Sequence, residues 1–203
     1  MMHMHYSQEQ TLVVIKPDGV QRSLIGDIIT RFEQTGLKLV ALKLMQPTEA
    51  FVTKFYTLDG SWLENVGKKA IKSFTDKGEV SPTENPLEAG QKILDRLNIY
   101  MTASPVVAMA WQGMNAVAIG EKITGSTEPL TSDVGTIRGD FVIDSYAASN
   151  SENRAVRNVV HRSGSIEEAK EEVKLWFSEG EVINYQLVQE QILYDVNVDG
   201  NKE

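Results

Sequence analysis

The chain has 203 residues, of which 41% are hydrophobic and 24% charged, proportions of an ordinary globular protein that exclude wholesale disorder. Its net charge of −8 argues against a generic nucleic-acid surface, because gripping the phosphate backbone depends on Lys and Arg neutralising it, so no specific nucleic-acid partner is expected. The absence of cysteine removes disulfides and thiolate metal sites and suits a reducing compartment, which makes the cytoplasm the expected location.

Residues 1–10 are polar and carry His3 and His5. A terminal His-x-His binds metal weakly, and a flexible tail is the expectation. No basic segment followed by an apolar stretch opens the chain, so no signal peptide is expected. Leu12-Val13-Val14-Ile15 reads as a first strand, ended by Lys16-Pro17-Asp18-Gly19, where proline removes a ladder donor and Asp-Gly favours a turn. Ile25, Ile28, Ile29 and Phe32 then recur at helical spacing, with Gly36 at the C-cap position. Leu37 to Leu44 is a second strand candidate, with Leu37, Leu39 and Ala41 alternating against Lys38, and Pro47 opens a helical region. From Gly60 to about Lys92 the texture turns polar, with Pro82 and Pro86 and with Leu63, Val66, Ala70, Ile71 and Phe74 at helical spacing. That stretch predicts an inserted helical hairpin.

Pro105 to Trp111 is a continuous apolar run, too short to cross a bilayer and suited to a buried central strand, so no membrane partner is expected. A short helix over 115–124 follows, and Phe141-Val142-Ile143 makes a fourth strand candidate after Gly135-Thr136-Ile137-Arg138-Gly139-Asp140. The order predicts an α+β fold: a ferredoxin-like βαββαβ sheet, antiparallel and covered by helices on one face, with the hairpin inserted. Ser165-Ile166-Glu167-Glu168 is a capping-box pattern, Ser165 the N-cap and Glu168 reaching back to it. Ile166, Ala169, Val173, Trp176 and Phe177 form the apolar stripe of the helix that follows, and Glu172 falls at the stripe's edge, facing a half-buried cleft. Residues 195–203 read as a loose acidic tail. With no linker to force a split, residues 1–203 are read as one domain.

His161 is the only histidine within the predicted fold. It ends a short apolar run just before a helix N-terminus, where unpaired N–H groups favour an anion. Asn158, Ser163 and Glu172 supply an amide, a hydroxyl and a carboxylate around one imidazole, the means of orienting a histidine nucleophile and fixing its tautomer. Lys16, Arg138 and the Thr127 hydroxyl are the candidate clamp for phosphoryl oxygens, although any one Lys or Arg taken alone is more often a solvated surface residue. Neither G-x-x-x-x-G-K-[ST] nor G-x-G-x-x-G occurs, so a P-loop or Rossmann site is unsupported. H-E-x-x-H is absent as well, so no protein metal site is expected and Mg²⁺ would come with the nucleotide.

Lys16-Pro17-Asp18-Gly19-Val20-Gln21-Arg22, Gly135-Thr136-Ile137-Arg138-Gly139-Asp140-Phe141 and Asn158-Val159-Val160-His161 followed by Ser163 resemble, in order, three signature segments of the nucleoside diphosphate kinases. The resemblance covers most of residues 11–185, interrupted at about 60–92 and by a longer stretch from Asp144 to Arg157. It implies a ping-pong kinase in which a nucleoside triphosphate gives its γ-phosphate to His161 and the phosphohistidine passes it to a nucleoside diphosphate. It assigns Lys16, Arg138 and Thr127 to the phosphates, Asn158 to the sugar region, and Ser163 with Glu172 to the histidine. Tyr56 matches a further active-site residue. Leu97 matches the helical leucine of the base clamp, while Ile93 stands where an aromatic ring is usual. A homohexamer, or a homotetramer, is implied too, with Val134 where the packing loop often has proline.

Three departures stand out. Glu121 occupies the place of a phosphate-contacting arginine, and a carboxylate there repels phosphate; Lys122, one residue along, is the candidate replacement. Arg162 stands for a glycine after the histidine, either offsetting the lost charge or crowding the nucleophile, and Gly164 stands for an acidic residue. The alternatives to an active kinase are a nucleotide-binding regulatory protein of the same fold with little or no turnover, and a ferredoxin-like interaction domain, which does not account for the three motifs.

Overall fold

A computed structural model describes residues 8–76, 78, 80–195 and 197–199. His3, His5 and much of the two expected tails lie outside the described residues. Strand β1 (Gln10–Ile15) starts inside the expected N-terminal tail. Glu9 ahead of it is anchored, its carbonyl accepting from Gly113 N and its carboxylate from Val117 N, each at 3.0 Å.

Where Pro17-Asp18-Gly19 suggests a turn, the chain forms a short helix, α1 (Pro17–Gln21). Pro17 at its first position gives up no hydrogen bond and has its φ already set for a helix. Helix α2 (Ile25–Glu33) buries Ile28 and Phe32, and the chain turns back through Gly36, at φ 85°, into β2 (Lys38–Met45). The alternation expected there is interrupted by a bulge between Leu39 and Ala41. The extra residue switches the faces that follow, so Val40 and Ala41 are both buried while Leu42 and Leu44 are exposed.

Helix α3 (Glu49–Tyr56) is capped by Thr48, whose hydroxyl accepts from Phe51 N. Helices α4 (Trp62–Asp76) and α5 (Pro86–Thr102) make the expected hairpin, although α5 continues past Lys92 to Thr102. They touch at glycines. A Cβ on Gly67 would lie 1.8 Å from the Pro86 carbonyl oxygen, and one on Gly90 2.1 Å from that of Leu63, so only a residue without a side chain permits the approach.

Strand β3 (Val106–Gln112) is buried at every residue but the last. After it come α6 (Ala116–Thr124), α7 (Ile137–Phe141), α8 (Tyr146–Ser151), β4 (Val160–Arg162), α9 (Ile166–Trp176) and α10 (Glu190–Leu193). The fourth strand is therefore not Phe141-Val142-Ile143, which ends α7 and leaves Ile143 fully exposed. The Thr136 hydroxyl accepts from Gly139 N at 3.0 Å, and this N-cap starts a helical turn that the β-prone trio cannot override. The true β4 has 3 residues and carries His161.

The strands lie in the order β2-β3-β1-β4, antiparallel throughout, as in a ferredoxin-like sheet. Helices cover both faces rather than one. Leu12 and Val14 of β1 pack with Val52 and Phe55 of α3 and with Val173 and Trp176 of α9. Val13 and Ile15 pack with Ile28 and Phe32 of α2 and Ala116 of α6. Because side chains alternate along a strand, β1 feeds two cores at once, and β4 is left as an edge with helices on either side. Among the described residues no helix is long and apolar enough to cross a membrane.

Candidate active site

His161 pairs in register with Val14, so its ring turns toward α3 and α9. Phe55 meets it edge-on, with ring centres 4.8 Å apart. On the other side its Nε2 lies 2.9 Å from Glu172 Oε1. Glu172 Oε2 accepts from Ser163 Oγ at 2.6 Å, and Ser163 Oγ accepts from Leu12 N at 3.0 Å. A chain of bonds thus runs from the main chain of the central sheet to one imidazole nitrogen. Beside a carboxylate Nε2 carries the proton, which leaves the lone pair on Nδ1. Glu172 is not at a cleft edge as its helical angle suggests: it is only 3% exposed, drawn inward by its two partners. Ser163 acts on the histidine through that carboxylate.

Asn158, expected at the imidazole, sits instead on a second cluster. Its Oδ1 accepts from Lys16 Nζ at 2.6 Å, and its Nδ2 donates to the Thr127 carbonyl at 2.9 Å. Lys16 is buried, with Nζ 5.4 Å from the centre of the Tyr100 ring. Burial, and then the charge of Arg138, lower its pKa to about 7, with Asp18 pulling the other way. Asp18 in turn accepts from Tyr100 Oη at 2.5 Å and from Val159 N at 3.3 Å. Val159 has φ 54°, an unfavourable region for a β-branched residue. The strain is held by Lys16 N–H on the Val159 carbonyl at 2.8 Å and by Val160 N–H on that of Asn158 at 2.7 Å.

Arg138 belongs to α7, not to a loop before a strand, and it is buried. Its Nε donates to the Asn158 carbonyl at 3.3 Å, Nη1 to those of Gly125 and Ser126 at 2.9 Å, and Nη2 to that of Val160 at 2.7 Å. It ties the segment around Thr127 to the histidine strand instead of presenting an open fork. Burial, and then Arg162, lower its pKa to about 10.

Tyr56 ends α3. Burial and then the charge of Glu172 raise its pKa, and its hydroxyl is buried without a hydrogen-bond partner. Ile93 and Leu97 lie one turn apart on α5, both half-buried, and Thr127 and Lys122 are exposed. The two charge departures meet: Arg162 Nη2 lies 2.6 Å from Glu121 Oε1. The N-terminus of α9, expected to receive an anion, is closed by its own acidic cap. Ser165 Oγ accepts from Glu168 N, and the Glu168 carboxylate accepts from Gly164 N at 2.7 Å, one residue short of the expected box. Among the described residues no group of three or more His, Cys, Asp or Glu is placed to hold a metal ion.

Sequence reasoning missed Phe55, Tyr100 and the bracing part of Asp18. Asp18 lies in a quoted signature, but nothing in the spacing pairs it with a tyrosine on α5. A cavity of about 900 Å³ opens beyond that pair, lined by Arg22, Ile99, Tyr100, Ile143 and Arg157 among others, and His161 is not part of it.

A sequence model of the family "Nucleoside diphosphate kinase" matches residues 9–76 and 86–182. Both hairpin helices and the stretch from Asp144 to Arg157 fall inside that match, which leaves 77–85 as the unmatched interior. A nucleoside diphosphate kinase of Pyrobaculum aerophilum is 42% identical over 180 residues, covering 86% of this chain and 98% of the relative. Human nucleoside diphosphate kinase A is 37% identical, covering 92% and 97%. Among solved structures, an NDP kinase from Pyrobaculum aerophilum superposes with a TM-score of 0.83 at 41% identity, over 87% of this chain and all of that one. A nucleoside-diphosphate kinase from Borrelia burgdorferi, solved as a transition-state mimic with bound vanadate and ADP, gives 0.75 at 31% identity over 92% and 96%.

Proposed function

This chain belongs to the nucleoside diphosphate kinase family and acts as a nucleoside diphosphate kinase, and we propose that Nδ1 of His161 carries the phosphoryl group between the two nucleotides. The observation that supports this most is the relay from Leu12 N through Ser163 and Glu172 to Nε2, which leaves the other ring nitrogen as the nucleophile. Its lone pair attacks the terminal phosphorus of a triphosphate, the bond from phosphorus to the bridging oxygen breaks, and the electron pair leaves with the nucleoside diphosphate. The ring, now N-phosphorylated and cationic, keeps its Nε2 proton against the Glu172 carboxylate. In the second half-reaction a terminal oxygen of the acceptor diphosphate attacks phosphorus and returns the pair to Nδ1.

Around this step we assign Lys16, Thr127 and Lys122 to the phosphates and Asn158 to the sugar end, where it also orients Lys16. Arg138 fixes the walls of the phosphate site and turns what remains of its charge on the nucleotide. The unpartnered Tyr56 hydroxyl is a donor for a phosphoryl oxygen. Ile93 and Leu97 form the apolar surface for the base, whose contacts are stacking and apolar and so tolerate many bases. Mg²⁺ is assigned to the nucleotide, where it screens the phosphate charge. We read residues 1–203 as one domain, expect the cytoplasm as location, and expect a homohexamer or homotetramer. Glu121, which motivated a reading without turnover, is matched by Arg162.

The test is incubation with γ-labelled ATP. The expected result is an acid-labile phosphoprotein that GDP discharges and that His161→Asn does not form. A wild-type protein that never takes up label overturns the proposal.

A further inference from the structure

We infer that Arg162 is a phosphate-binding residue of this kinase, and that Glu121 holds its guanidinium at the edge of the sheet until a nucleotide takes it over. The inference rests on the His161 reading and adds a further cation to those assigned to the phosphates.

A triphosphate brings several negative charges to His161, and the two buried cations beside it are largely committed. Lys16 spends a donor on Asn158 and, with its pKa near 7, is only partly charged at neutral pH. Arg138 spends four N–H bonds on backbone carbonyls. Arg162 follows the nucleophile directly and lies close enough to Arg138 to depress its pKa. Only two of its bonds are described, Nη1 to the Ser163 carbonyl at 3.1 Å and Nη2 to Glu121 at 2.6 Å.

The register sets Arg162 opposite Val13, on the α6 side of β4, and His161 opposite Val14, on the α9 side. Since β4 is the edge of the sheet, no further strand separates the two, and one anion at that edge can meet both. The latch is releasable. Glu121 is 63% exposed while Arg162 is 17% exposed, and an ion pair with one partner in water is weak. Phosphate oxygens, with more charge and a geometry that suits a guanidinium fork, outcompete one carboxylate. The pair also keeps Glu121 from repelling the nucleotide before it arrives.

The experiment is calorimetric titration with ADP, which needs no turnover, on wild type, Arg162→Ala, Glu121→Gln and the double variant, alongside γ-labelled ATP labelling of each. Arg162→Ala is expected to weaken ADP binding about tenfold or more and to raise the ATP concentration that half-labels His161 by a similar factor. Glu121→Gln is expected to tighten ADP binding by about two- to fivefold, because the competitor is gone. The loss caused by Arg162→Ala must persist in the Glu121→Gln background. An unchanged ADP affinity in Arg162→Ala overturns the inference, as does a loss that vanishes in the double variant, which would mean Arg162 merely cancels Glu121. Absence of label on wild type with these affinities intact would instead strike the His161 reading.

Discussion

Lys16 shows how one buried side chain couples stability, pH and binding. Its amine keeps a proton up to about pH 7 in the folded protein, against the ordinary 10.5 of an exposed lysine. Between those values the unfolded chain binds more protons, so the stability lost to burying Lys16 is largest below pH 7 and is recovered as pH rises toward 10.5. Lys16→Met removes that cost, and the expected outcome is a Tm about 5 °C higher at pH 6.5 together with loss of His161 labelling. A lower Tm would show that the bond to Asn158 outweighs desolvation. With Lys16 in its proposed place at the phosphates, nucleotide would run the linkage the other way, because an anion beside Nζ favours the charged form. At pH 8 ADP binding should therefore take up a proton, approaching one per site, read as a dependence of the binding heat on the buffer's ionisation enthalpy; Lys16→Arg should abolish it. Ser163→Ala leaves the buried Leu12 N–H and one Glu172 oxygen unpaired, at a cost of about 2 kcal/mol in denaturant unfolding. It should also slow phosphorylation of His161 about tenfold by loosening the carboxylate that orients the ring, and an unaltered rate would mean that α9 alone positions Glu172.

Two glycines set how the helical hairpin holds α5, the helix proposed to face the base. Gly67 and Gly90 bring α4 and α5 into backbone contact, and α5 carries Ile93 and Leu97. Gly67→Ala forces the helices apart, because the atom in the way is a main-chain oxygen that cannot rotate aside. A Tm about 5 °C lower and a several-fold higher KM for nucleotides, with kcat much less affected, are the expected results; a normal KM would show that Ile93 and Leu97 do not touch the base. The hairpin was legible because its apolar residues recur at helical spacing, and β1 and β3 because each carries an unbroken apolar run, Leu12 to Ile15 and Val106 to Trp111. The fourth strand was not. Val160–Arg162 is too short to show a period, while Phe141-Val142-Ile143 looks extended locally and loses to the Thr136 cap. The site divides in the same way. His161, Ser163, Glu172 and Lys16 are readable from their chemistry and order, yet that Asn158 serves Lys16, that Arg138 faces carbonyls and that Arg162 meets Glu121 depend on contacts between segments far apart in sequence.

At the scale of the whole molecule, large apolar side chains are exposed around one cavity, and the proposed assembly would cover them. Ile99 is 73% exposed, Ile143 is fully so, and both line the 900 Å³ cavity with Val142, Arg22 and Arg157; Leu130 and Val134 are exposed as well. Side chains of this kind cost little in a monomer but favour association when a second copy covers them. Opposing this, each copy carries a net charge of −8, and like-charged copies repel over about 10 Å in 0.1 M salt. The assembly should therefore be held by apolar contact and weakened by charge, so that adding salt tightens it, the reverse of an assembly held by ion pairs. Light scattering should give six times the monomer mass, or four, with dissociation on dilution setting in at higher protein concentration in 20 mM than in 500 mM salt. Ile143→Glu places a charge in the apolar patch and should shift the protein to smaller species and lower its Tm, because assembly stabilises the folded chain by mass action. Because His161 and Glu172 lie within a single copy, the small species should still take label from ATP; a wild type that stays monomeric at micromolar concentration in high salt would remove the assembly and leave the phosphohistidine chemistry standing.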